Sequence, residues 1–182
     1  VLDYYTKHDR IHYLSSTFSE DETVAEALDR LVNEAVSAVE NGKELIVVDD
    51  VKAHSDGHLW LDPHLVTSAL DQGLTEKQIR RNFSLVLRSG SIRTLHDIAL
   101  AFGLGADLIN PYLIFATVCG ESNEPAPKVF DALNKGLEKV ISTIGIHELR
   151  GYGRLFSSIG LNNEVSDVLN IVNFLGSEEV AY

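Results

Sequence analysis

Four polar residues could form a ligand pocket or an active site in this chain. Asp50, Ser89 and Asn110 each lie at the end of a short apolar segment, and His96 lies a turn into the helix predicted after Ser89. If the apolar segments are parallel strands, their carboxyl ends meet at the edge of the sheet where α/β proteins bind ligands. The pattern therefore predicts a pocket for a small molecule, with the imidazole as its titratable group.

The same residues also have a simpler interpretation. Asp and Asn side chains commonly cap helices, and a Ser-Gly pair commonly forms a turn. The spacing contains no Ser-His-Asp arrangement and no pair of facing carboxylates. On spacing alone, the capping and turn interpretation is favoured.

The turn Ser89-Gly90-Ser91 supports a second hypothesis, that of a phosphate site. It precedes a predicted helix, whose first N–H groups could hold an anion. No Gly-Lys-Ser/Thr follows, so the turn is not a Walker loop. Gly103-Leu104-Gly105 follows a helix rather than a strand, so it does not match the dinucleotide fingerprint.

A third hypothesis is a metal-binding module that uses His54, Asp56 and His58. The histidines are four residues apart, a spacing that can share a metal on a helix, but Gly57 places them in a loop. Surface histidines are the preferred interpretation. Cys119 lies in an apolar segment and is expected to be a buried small side chain. The sequence thus assigns no catalytic, cofactor-binding or metal-ligating residue.

The elements that would position these residues are predicted most clearly between Phe83 and Pro111. They are, in chain order, a buried strand at 83–87, a helix at 92–102, its C′ glycine Gly103, a strand at 106–109, and the N-cap and N1 pair Asn110-Pro111.

The same signals predict elements on either side. These are a helix from the capping box Ser19–Glu22 to Asn41-Gly42, an apolar strand at 45–48, a helix from Asp62-Pro63 to Gly73, and a short helix from Thr75 to Arg81 with a solvated basic face of Lys77, Arg80 and Arg81. Helices that alternate with unbroken apolar strands predict an α/β fold with a parallel sheet and flanking helices.

Length and composition limit the class of protein. The 182 residues fit one domain, 1–182, in which residues 1–18 are a possible N-terminal arm. The net charge of −12 argues against nucleic-acid and anionic-membrane partners, and no apolar run approaches the ~20 residues that span a membrane. The single cysteine favours the cytoplasm, and the lack of methionine favours a fragment of a longer chain.

Four segments of the chain resemble the central domain of the large glutamate synthases, which are ferredoxin- or NAD(P)H-dependent. The most distinctive is Gly103-Leu104-Gly105-Ala106-Asp107 followed by Asn110-Pro111-Tyr112-Leu113. The others are the region from Ala27 to Asp50, the helix Pro63 to Leu70, and an exit segment that includes Asn134-Lys135-Gly136-Leu137, Gly145-Ile146, Tyr152, Phe156 and Ile159-Gly160-Leu161.

The resemblance implies an irregular or incomplete (β/α) barrel that links two neighbours in one polypeptide. These are a glutamine amidotransferase domain and a synthase domain that carries FMN and a 3Fe-4S cluster. The parent would be an oxidoreductase that forms glutamate from glutamine and 2-oxoglutarate. No catalytic residue of the family falls in the matched part, and one cysteine cannot hold the cluster.

This chain alone is therefore expected to bind no cofactor and to be inactive. The alternative that the sequence leaves open is a free-standing small-molecule-binding domain or enzyme that uses Asp50, Ser89, His96 and Asn110.

Overall fold

The computed structural model describes residues 2–120, 122, 124–149, 157–158 and 160–174. Three residues of the exit segment, Tyr152, Phe156 and Ile159, lie outside the described residues. In chain order the elements are α1 (Leu2–Lys7), β1 (Ile11–Ser15), β2 (Thr17–Phe18), α2 (Val24–Glu40), β3 (Leu45–Asp49), β4 (Leu59–Trp60), α3 (Pro63–Glu76), β5 (Ser84–Arg88), α4 (Leu95–Gly103), β6 (Leu108–Asn110), α5 (Tyr112–Cys119), α6 (Ala126–Thr143) and α7 (Asn163–Val168).

The main sheet contains β1, β3, β5 and β6 in that order, and every neighbouring pair is parallel. Each strand lies beside the previous strand of the sheet, and right-handed connections then place α2, α3 and α4 on one face. This is the strand order of a (β/α) barrel. Over the described residues the sheet ends at β1 and β6 without closing, so the predicted α/β fold with an incomplete barrel is confirmed.

The core lies between the sheet and these helices. Alternate residues of each strand point to the helices, as the two-residue period of a strand requires. The buried side chains include Leu14, Ile46, Val48, Leu85 and Leu87 from the strands and Leu28, Leu31, Ala35, Leu70 and Leu74 from α2 and α3. Each buried leucine contributes about 1.5–3 kcal/mol to folding, so this layer dominates the stability.

Most of the residues from 11 to 18, which the sequence predicts as part of a possible N-terminal arm, lie in β1 and β2. Ile11–Ser15 form the edge strand β1, in register with Leu45–Asp49 of β3. Leu14 is buried in the core, whereas Tyr13 is 61% exposed on the other face of the sheet. An edge strand with exposed aromatic and polar residues lacks the unbroken apolar run that identifies β3, and the sequence pattern therefore gave no strand here.

Two helix boundaries also differ from the prediction, although the Asn41-Gly42 end of α2 and the Asp62-Pro63 start of α3 are confirmed. The capping box of α2 consists of Thr23 and Glu26, so the helix begins at Val24. The other boundary is that of α3, which continues through Gly73 to Glu76. A Cβ at Gly73 would lie 2.6 Å from Val32 Cγ1, so this glycine permits α3 to pack closely on α2.

The turn after α4 is also shifted from its predicted position. The helix ends at Gly103, and the left-handed residue is Gly105, with φ +116°. Asn110 is the last residue of β6, and Pro111 is the N-cap of α5, with no side-chain capping bond. The predicted C′ glycine and the predicted N-cap are therefore both wrong by one or two positions.

Arg80 does not belong to a solvated face, because it holds the N-terminal edge of the sheet together. Its guanidinium donates hydrogen bonds to Asp71 (2.8 Å), to the carbonyl of Gly105 (2.6 Å) and to Asp107 (3.0 Å). The same Asp107 oxygen accepts a 2.7 Å bond from the N–H of Leu85 in β5. The Gly-Ala-Asp part of the family motif is thus explained by the bonds that it makes to Arg80 and β5.

We predict that Gly105→Ala destabilises the domain by about 2–4 kcal/mol and Gly42→Ala by only about 1 kcal/mol. Both glycines have positive φ, which strains any other residue. A Cβ at Gly105 also meets Asp71 Cγ at 2.5 Å, whereas a Cβ at Gly42 meets nothing within 4 Å. Urea unfolding of the two variants measures the difference, and equal losses would contradict the packing argument.

Candidate functional site

Asp50 follows β3 directly and is only 3% exposed. Its carboxylate accepts hydrogen bonds from the Ser89 hydroxyl, from the Gly90 N–H at 3.1 Å, and from the Tyr112 hydroxyl at 3.1 Å. Ser89 and Gly90 follow β5, and Tyr112 is the first residue of α5. One buried carboxylate therefore connects the ends of two strands to the helix that follows the last strand.

Tyr112 is held by charged neighbours on both sides. The Arg88 guanidinium carbon lies 5.0 Å from the centre of the Tyr112 ring, and Arg88 forms an ion pair with Asp49. Burial is the largest cause that raises the pKa of Tyr112 to about 12, and the negative charges of Asp50 and Asp49 act in the same direction. Together they outweigh the positive charge of Arg88, which lowers this pKa. The phenol therefore keeps its proton and donates a hydrogen bond to the Asp50 carboxylate.

The turn Ser89-Gly90-Ser91 does not fit a phosphate. The Gly90 N–H is bonded to Asp50, and the Ser91 N–H is bonded to the Ser89 hydroxyl oxygen at 3.1 Å. A Cβ at Gly90 would lie 2.7 Å from Leu113 Cδ1, so a side chain already fills the space beside the turn. An anion would also face the Asp50 carboxylate, and Coulomb repulsion opposes its binding.

The structure brings together two of the four residues predicted to form the pocket, Asp50 and Ser89. Asn110 joins them only through its backbone, because its carbonyl accepts a 3.1 Å hydrogen bond from the Ser89 N–H. The residue is exposed and lies beside Arg88 in the sheet. His96 is exposed on the first turn of α4. The predicted combination of a carboxylate with that imidazole is therefore not formed.

A cavity of about 330 Å³ opens beside Asp50. It is lined by Asp50, Ala53, His54, Trp60, Gly90, Ser91, Arg93 and Leu113. This volume is at the lower limit of ordinary ligand pockets. The indole and the guanidinium could contact a small polar molecule, but the Asp50 oxygens already accept bonds from three donors.

One histidine of the metal hypothesis, His54, lines this cavity, whereas His58 lines a different one. His54 Nε2 is 3.4 Å from the Tyr112 hydroxyl. Among the residues that the structure describes, no group of three His, Cys, Asp or Glu side chains has the arrangement of a metal site. Within the described residues, no helix is long and apolar enough to cross a membrane.

The spacing of residues in the sequence does not indicate the role of Tyr112. It is 62 residues from Asp50, so this contact leaves no local spacing signal. Arg88, in contrast, ends β5 in register with Asp49 of β3, so the order of the strands brings these two residues together. The only signal was the Asn-Pro-Tyr-Leu motif, which marks Tyr112 without stating its partner. The hydrogen bond to Asp50 now gives that motif a physical role.

Comparison with solved structures defines the class of fold as part of a (β/α) barrel. Flavocytochrome b2 with benzoylformate matches with a TM-score of 0.57 at 17% identity, over 67% of this chain and 31% of that chain. A second flavocytochrome b2 variant matches with a TM-score of 0.57 over 74% of this chain and 37% of that one, also at 17% identity. These matches establish the architecture alone.

Sequence comparison identifies the family. The model of the glutamate synthase central domain matches residues 2–162, and the chain belongs to this family. The NADPH glutamate synthase large chain of Bacillus subtilis is 32% identical over 161 residues, which are 82% of this chain and 10% of the relative. The NADH glutamate synthase of Schizosaccharomyces pombe is 31% identical over 172 residues, covering 86% of this chain and 8% of the relative. The chain spans about a tenth of the length of these relatives.

We predict that Asp50→Asn destabilises the domain by about 3 kcal/mol. The asparagine amide presents an N–H₂ group where Asp50 has a second acceptor, so at least one buried donor loses its partner. Asp131→Asn, on the exposed face of α6, is the matched control and should change stability by less than about 0.5 kcal/mol. Urea midpoints that coincide for the two variants would show that the Asp50 contacts contribute little.

The raised pKa of Tyr112 predicts a loss of stability at high pH. An unfolded tyrosine releases its proton near pH 10, while the folded phenol keeps its proton until about pH 12. The folded state therefore binds more protons between these values, and stability falls as the pH rises from about 10 to 12. Unfolding measured at several pH values should show a smaller fall in Tyr112→Phe than in the unmodified chain. An identical fall in both proteins would assign the effect to other groups.

Proposed function

We propose that this chain is a structural linking domain of a glutamate synthase. In the parent polypeptide it would position the glutamine amidotransferase domain and the FMN-binding synthase domain for glutamate formation from glutamine and 2-oxoglutarate. The family match over residues 2–162 supports the parent. The observation that supports a structural role is the saturated Asp50 carboxylate, because its oxygens connect strand ends and a helix where an active site would present free groups.

The cofactors of the parent do not fit this chain. The FMN phosphate would need free N–H groups, but the Gly90 N–H is bonded to Asp50 and the Ser91 N–H is bonded to the Ser89 hydroxyl. A 3Fe-4S cluster needs three cysteine thiolates, and Cys119 is the single cysteine of the sequence. We therefore place both groups in the partner domains of the oxidoreductase. The chain would share the location of its parent, which we propose to be the cytoplasm on the basis of its single free cysteine.

A second candidate function, a small-molecule-binding domain or enzyme, is favoured by the cavity beside Asp50. Trp60 and Arg93 line it and could bind a polar ligand without displacing the bonds to Asp50. This candidate requires a ligand that stabilises the isolated chain in proportion to its occupancy. A thermal-shift series with FMN, glutamine, 2-oxoglutarate and zinc should show no shift if the linking function alone is correct.

The linking function predicts that destabilising this domain uncouples glutamine hydrolysis from glutamate formation in the parent. We expect Ser89→Ala in the full-length synthase to weaken the Asp50 contacts and to raise the ratio of glutamine hydrolysed to glutamate formed, while the bound FMN stays unchanged. Ser37→Ala, on the exposed surface of α2, is the matched control. An unchanged ratio in the Ser89 variant, or turnover by the isolated chain, would contradict the proposal.

A further inference from the structure

The helix α5 is apolar except at one position and has no buried residue. Every residue from Tyr112 to Cys119 except Thr117 is apolar, and Val118 is 50% exposed. An eight-residue helix is not stable by itself, because short helices depend on packing of their apolar face. The first turn of α5 is held by the Tyr112 bond to Asp50, and the helix also lies against α6.

The apolar surface continues from α5 onto β6 and α6. A groove of about 260 Å³ is lined by Ile98, Phe102, Asp107, Leu108, Ile109, Pro111, Phe115, Phe130, Leu133, Asn134, Leu137 and Leu149. At its rim, Leu108 is 55% exposed and Phe130 is 58% exposed. Contiguous exposed apolar surface of this kind marks an interaction site. We call the exposed side of α5 together with this groove the α5 surface.

Charge indicates which kind of partner covers the α5 surface. Asp107 is the one charged side chain among the groove residues given above, and Arg80 is bound to it. The groove therefore offers nothing to a charged ligand. A second copy of the chain would bring another net charge of −12 to the contact, and this repulsion opposes self-association. A covalently linked partner instead meets the surface at an effective concentration in the millimolar range.

We infer that the α5 surface docks an apolar segment of the adjoining region of the same polypeptide. The inference rests on the proposed linking function, because the docked segment belongs to the parent polypeptide. In the two relatives given above, the part that matches this domain is about a tenth of the whole length. Large apolar side chains of that segment occupy the groove between Leu108 and Phe130 and cover Val118. The contact fixes the position of this domain relative to its neighbour.

Cys119 provides a direct test because it is the only cysteine of the chain and ends α5. Its alkylation by iodoacetamide is measured by peptide mass spectrometry in the isolated chain and in the full-length synthase. We expect alkylation at least about tenfold slower in the full-length protein, because docking excludes the reagent. Equal rates would overturn the inference, and protection that rises with the concentration of the isolated chain would assign the surface to a second copy.

A matched pair of variants locates the docking contact. Leu108→Gln alters the groove and Leu59→Gln alters another exposed leucine, on β4, that is 40% exposed. In the full-length protein, Leu108→Gln should return Cys119 alkylation towards the rate of the isolated chain, and Leu59→Gln should not. Unfolding of each variant in the isolated chain confirms that both fold. Equal effects of the two substitutions on alkylation would overturn the inference, whereas the proposed linking function is tested independently by the ratio of glutamine hydrolysed to glutamate formed.

Discussion

The C-terminal edge of the sheet depends on the hydrogen bonds that the buried carboxylate of Asp50 accepts. An ionised carboxylate that is 3% exposed costs several kcal/mol unless hydrogen bonds replace the water that it loses. Ser89, Gly90 and Tyr112 supply those bonds. The three donors come from the end of β5 and the start of α5. Because the buried carboxylate needs all three hydrogen bonds, it fixes the relative position of β3, β5 and α5.

At the opposite edge, Arg80 performs a comparable role for the connection from α3 to β6. Its bonds to Asp71, Gly105 and Asp107 hold the turn after α4, and Asp107 in turn accepts a bond from the Leu85 N–H at the start of β5. The sheet is thus held at both ends by charged side chains whose partners lie within the domain. An exposed apolar surface lies on α5 and in the groove beside it, as the proposed linking function requires.

The sequence predicted the fold where the signal is local. The unbroken apolar run of β3 and the Asp62-Pro63 start of α3 are confirmed, because periodicity and capping depend on neighbouring residues. The edge strand β1 was missed because it lacks the unbroken apolar run that identifies β3. The left-handed Gly105 was missed because Gly103, two residues earlier, is also a glycine and gives the same signal for the end of the helix. The candidate site was only partly predictable. Asp50 and Ser89 follow neighbouring strands, whereas Tyr112 and Arg80 act through contacts between distant parts of the chain.

Hydrogen exchange of the Gly90 amide, measured by NMR in the isolated chain with and without FMN, tests most directly whether the strand-end cluster is structural. If Asp50 holds this N–H as described, the amide exchanges only through global unfolding, and FMN changes neither its rate nor its chemical shift. Fast exchange of Gly90, or a shift of its resonance on addition of FMN, would contradict the account and would favour a ligand site at this edge of the sheet.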